Sequence, residues 1–81
     1  MPYIKRDARK KWSIDVDDIE TPGELNYYIT RICIEYTDKH GKSYGTFNDI
    51  VGALECCKLE LYRRAIAPYE DLKIGENGDV Y

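Results

Sequence analysis

From Pro22 to Ala67 the apolar residues recur at helical rather than strand spacing. At 100° per residue, Leu25, Ile29, Ile32, Cys33 and Tyr36 fall on one face, with Tyr28 at its edge. Thr21-Pro22-Gly23-Glu24 is a helix start: the threonine caps, the proline fits the first helical position and Glu24 reaches back to the cap. Gly41 suits the left-handed position after a last turn, and Lys39 and His40 complement the negative end of the helix dipole. The pattern therefore predicts a helix over residues 22–39.

Gly41 to Gly45 is short enough to make the next element fold back antiparallel. Thr46-Phe47-Asn48-Asp49 repeats the capping logic, predicting a second helix over residues 46–67 with Phe47, Ile50, Leu54, Cys57, Leu61 and Ala65 on one stripe. Pro68 lacks a backbone donor and restricts Ala67 before it, so the helix is expected to kink or end there. Pro68-Tyr69-Glu70-Asp71 can restart a short helix, and Asn77-Gly78 is a turn signal that would bring Val80 and Tyr81 back toward Ile74. Before Thr21 the pattern is ambiguous, since Ile14, Val16 and Ile19 suit either a short helix or an extended segment. The expected fold class is all-α: an antiparallel hairpin of two long helices in one domain spanning residues 1–81, with an N-terminal segment and a C-terminal short helix plus tail.

Each long helix also carries apolar residues that such a hairpin would expose. On the first they are Tyr27 and Ile34; on the second they are Gly52, Cys56, Leu59 and Ile66. Burying one Leu or Ile is worth about 1.5–3 kcal/mol, so this set needs a cover. It could come from Tyr3 to Ile19 and the tail, or from a second copy; a homodimer is the favoured expectation, with an unknown protein partner as a further possibility. The length of 81 residues points the same way, because a short chain buries a small fraction of its surface and usually needs a supplement.

Composition narrows the chemistry. Three cysteines, two of them adjacent, cannot all pair within one chain. With no apolar run long enough for a leader or a membrane span, the expectation is a cytoplasmic protein with reduced thiols. The net charge of −3 conceals a split: Lys5, Arg6, Arg9, Lys10 and Lys11 against Asp7 make residues 1–12 basic, while the remainder is acidic. Such an arm suits nucleic acid or its own acidic body, and the second is favoured because an acidic body repels a phosphate backbone.

No residue set forms a catalytic centre, and no cofactor or metal is expected. Cys33, Cys56, Cys57 and His40 supply donors for zinc, but not at zinc-site spacing, and adjacent cysteines on a helix point about 100° apart. His40 reads as a helix-end residue. Asp15 to Glu20 lacks the glycine and distant glutamate of a calcium loop, and Glu24, Glu35, Glu55 and Glu60 are too scattered for a carboxylate metal site. The remaining polar cluster is Arg63 and Arg64 followed by Glu70 and Asp71, which either binds a small anion, in a ligand-binding or nucleotide-related activity that includes Glu55 and Glu60, or holds the tail, the favoured reading.

Gly23-Glu24-Leu25-Asn26-Tyr27, Asn48-Asp49-Ile50-Val51-Gly52-Ala53-Leu54-Glu55-Cys56, Glu60-Leu61-Tyr62-Arg63-Arg64, Ala67-Pro68-Tyr69-Glu70-Asp71 and Glu76-Asn77-Gly78-Asp79-Val80-Tyr81 together resemble a small, functionally uncharacterised family of bacterial, archaeal and phage proteins. The resemblance runs from Gly23 onward; before it the chain is shorter and more acidic than the family pattern. It implies an origin and no activity, cofactor or mechanism.

Overall fold

The computed structural model describes residues 4–7 and 16–81. Among them the regular elements are all helical: 3₁₀ residues at Arg6 and Asp7, a 3₁₀ turn Val16–Asp18, helix α1 (Pro22–His40), helix α2 (Tyr44–Leu61), a π-helical turn Tyr62–Ile66, and helix α3 (Ala67–Asn77). This is the expected class. The chain divides into two compact units, one ending at Val51 and the other running from Gly52 to Tyr81.

In the first unit the start of α1 follows the sequence expectation. Thr21 is extended, its hydroxyl accepts from the Glu24 amide at 3.1 Å and donates to Glu24 Oε1 at 3.0 Å, and Pro22 opens the helix. Gly41 closes it with φ +87°, its amide donating to the Thr37 carbonyl at 2.8 Å. A side chain there would meet no neighbour, so glycine is needed for the backbone angle alone.

The start of α2 differs from expectation. Ser43, not Thr46, stands at the cap: its Oγ accepts from the Thr46 amide at 3.1 Å and donates to Thr46 Oγ1 at 3.1 Å, and its carbonyl accepts from Phe47 at 3.0 Å. Thr46 takes the place glutamate holds in the usual reciprocal cap. It becomes the single buried polar residue among those described, 7% exposed. The helix consequently begins at Tyr44, and only Gly41, Lys42 and Ser43 connect it to α1.

That short connection turns one face of α1 toward α2 across an open groove. Phe47 and Ile50 share an open groove of about 460 Å³ with Thr30, Cys33, Ile34, Thr37 and Asp38, rimmed by Lys42. Ile34, expected on the outer face, thus lies in the groove. Of the stripe expected to face α2, Cys33 lines the groove, whereas Leu25, Ile29, Ile32 and Tyr36 lie roughly 130° around the helix from the middle of that lining. The direction of α2 is set by two capping hydrogen-bond systems separated by one residue, and the apolar stripe has no part in either. The groove is not a packed seam: Ile34 is 41% and Phe47 45% exposed.

In the second unit Pro68 does not end the helix; it stands in the first turn of α3, just after the hydrogen-bonding pattern widens over Tyr62–Ile66. The Ala67 amide donates to the Tyr62 carbonyl, five residues back, and helical bonding continues to Asn77. A proline removes one donor and crowds the carbonyl four residues before it, here that of Arg64; the wider π turn makes room for the ring. The C-terminal helix is accordingly longer than a short restart. It closes at Gly78, φ +89°, whose amide donates to the Ile74 carbonyl at 2.8 Å. The tail turns back far enough to share an open hollow with Ile74 but does not pack on it: Val80 is 95% exposed, and the Tyr81 amide donates to Asp79 Oδ1 at 3.0 Å.

Replacing Ser43 with Ala should remove the α2 cap and cost about 1 kcal/mol, read as a fall of roughly 4–8 °C in melting temperature. Thr46→Ala, which keeps the Ser43 oxygen as acceptor, should cost less. An equal or larger loss in Thr46→Ala would return the cap to Thr46.

Candidate interaction surface

Helical geometry presents the apolar residues of both units outward. Among the described residues no hydrophobic side chain is buried. On α1 the stripe is exposed along its length, with Leu25 at 50% and Ile32 at 54%. Tyr27 packs its ring edge-on against Tyr28, centroids 5.8 Å apart, and Tyr36 stacks on His40 at 4.3 Å. His40 is therefore held by an aromatic neighbour at the helix end. Arg31 spends its guanidinium on Glu35 at 3.5 Å, one turn along its own helix.

On the second unit Leu59 and Ile66 are exposed, Cys56 is half-buried and Gly52 has open space where a Cβ would stand. All three cysteines are free thiols. Among the described residues no three His, Cys, Asp or Glu side chains gather as a metal site.

The arginine cluster is arranged locally. Arg63 Nη2 donates to both oxygens of Glu60 at 3.1 Å, and Lys58 pairs with Glu55 at 3.1 Å, so both glutamates of the enzyme-like reading are partnered by their own helix. These exposed pairs lie one turn apart, where each is worth a few tenths of a kcal/mol. Glu70 faces Tyr62 rather than Arg63. It raises the tyrosine pKa above the ordinary 10.0, first by accepting a hydrogen bond from the hydroxyl and then by its charge, with slight desolvation and Asp71 adding to the effect. The π turn explains this pairing. Residues eight apart on an α-helix sit about 80° out of line, whereas absorbing one extra residue brings them to within about 20°.

A second hollow of about 360 Å³ lies along α3, where Lys73 sits 5.5 Å above the Tyr69 ring and pairs with Glu76 at 3.2 Å. Ile74, Asn77, Val80 and Tyr81 line it, and neither it nor the α1 groove includes Arg63, Arg64, Glu55 or Glu60. Of the basic arm, Lys5 and Arg6 are exposed beside Asp7, and Arg9, Lys10 and Lys11 lie outside the described residues. No described helix is long and apolar enough to cross a membrane.

The chain belongs to the family described as the domain of unknown function DUF6899, whose sequence model matches residues 1–80. The match includes the stretch before Gly23, so the N-terminal segment is part of the family pattern. No curated protein and no solved structure matches the chain.

Changing Glu70 to Gln should lower the Tyr62 pKa toward 10.0, measured as the part of the tyrosine absorbance titration lost in a Tyr62→Phe control. Because the folded value is raised, the contact favours the fold at pH below 10.0 and is lost as pH rises through the folded pKa. An unchanged titration in Glu70→Gln would show that the hydroxyl does not face this carboxylate.

Proposed function

We propose that this chain is a protein interaction module that completes its apolar core by binding a copy of itself. The observation that carries this reading is the absence of any buried hydrophobic side chain among the described residues, in a sequence that is 43% hydrophobic. Monomers expose scattered apolar residues without consequence, but contiguous apolar faces on successive helices mark an interaction surface. Leu25, Ile32, Leu59, Leu61, Tyr69 and Leu72 are each at least half exposed. Covering such side chains recovers about 1.5–3 kcal/mol apiece for full burial, a considerable sum for a domain whose total stability is about 5–15 kcal/mol.

The anion-binding reading at Arg63, Arg64, Glu55 and Glu60 receives less support. A ligand site needs charges converging on a concave pocket, whereas Arg63, Glu55 and Glu60 are paired along one helix surface.

Sedimentation or light scattering at tens of micromolar should give a dimer or higher assembly, with a melting temperature that rises with protein concentration. A monomer whose melting temperature is independent of concentration would sink the reading.

A further inference from the structure

Resting on that reading, we infer that the second copy docks on α1, the two helices running antiparallel about a two-fold axis between Thr30 and Arg31. The stripe that α2 leaves open is its own complement when reversed. Its members are spaced four, three and four residues apart, so turning the helix end for end sets Leu25 against Tyr36 and Ile29 against Ile32; each pair of residue numbers sums to 61. A two-fold interface demands this reciprocity, since residue i must meet j while j meets i. The alternation of three and four is also the spacing that keeps a seam facing a partner helix.

The charges agree with it. None of the four stripe residues is charged, and neither are Tyr28 and Cys33 at its two edges. Arg31, the residue nearest the axis with a full charge, lies off the stripe and is held by Glu35 of its own helix at 3.5 Å. Parallel pairing would set Leu25, Ile29, Ile32 and Tyr36 each against itself, stacking the two tyrosines at one end. The antiparallel register matches a large ring with leucine at both ends and isoleucine with isoleucine at the centre.

Area sets the expected strength. With Leu25 50%, Ile29 39%, Ile32 54% and Tyr36 38% exposed, the stripe offers on the order of 350 Å² per copy, against about 800 Å² in a standard interface. Tyr28, 38% exposed, and the polar flanks enlarge it, giving a dimer of moderate affinity.

The test uses the full chain and two single variants, Ile29→Lys and Ile32→Glu. Each alone should raise the apparent dissociation constant at least tenfold by light scattering, while Ile66→Glu on the second unit should change it less than threefold. Mixing the two variants in equal amounts should restore assembly, because antiparallel pairing sets position 29 of one copy opposite position 32 of the other. A variant that unfolds alone is read by the same mixture, through recovery of helical circular dichroism. Failure of the mixture to recover overturns the antiparallel register. Single variants that stay assembled overturn the α1 interface yet leave the proposed function standing. A monomeric wild type, as cover by the chain's own N-terminal segment would give, overturns both.

Discussion

A helix shelters its side chains from water only in part, because neighbours along one backbone cover only a share of each other's surface. The remainder must be covered by a second layer. That constraint governs this chain. Leu25, Ile29, Ile32 and Tyr36 on α1, and Leu59, Leu61, Tyr69 and Leu72 beyond it, carry the partial cover of their own helix and little more. Thr46 escapes because a cap, not a layer, closes over it.

What the chain does settle, it settles at short range. The ion pairs Arg31–Glu35, Lys58–Glu55, Arg63–Glu60 and Lys73–Glu76 each join residues three or four apart. Ser43 orders the start of α2, Gly41 and Gly78 close α1 and α3, and the π turn absorbs Pro68. Exposed pairs of this kind contribute little individually, so they define where helices start, stop and bend without supplying a core.

This division explains which features were legible in the sequence. The Thr21 cap, the Gly41 stop and the helical class follow from chemistry within four residues, and a sequence displays such neighbours directly. Two expectations failed where the outcome depended on a choice between local alternatives. Thr46 and Ser43 both offer a capping hydroxyl, and Ser43 prevails because it lets the Thr46 hydroxyl answer it. The turn before Pro68 offered a break or a wider loop of hydrogen bonds; continuing the helix kept the donors of Tyr69 onward paired. The facing of α1 was the least legible feature, since it depends on the length of the connection, and a start two residues earlier swings α2 toward Ile34 and away from Ile32. The Tyr62–Glu70 contact was hidden for the same reason: counting at 100° per residue assumes that no residue is absorbed by a π turn.

Short-range order bears on how an uncovered face can work. Isolated helices become marginal below about 12–15 residues, and α1, at 19 residues with a cap at each end, lies above that limit. A partner on a helix that forms by itself would meet a ridge of Leu25, Ile29, Ile32 and Tyr36, and the cost of ordering backbone would fall on folding rather than on association. The open groove at Ile34 and Phe47 adds some freedom to this picture, because α2 is tied to α1 by three residues and not by a packed seam. A cover on the stripe would leave that groove accessible, so self-association and recognition of another protein need not compete for the same side of α1.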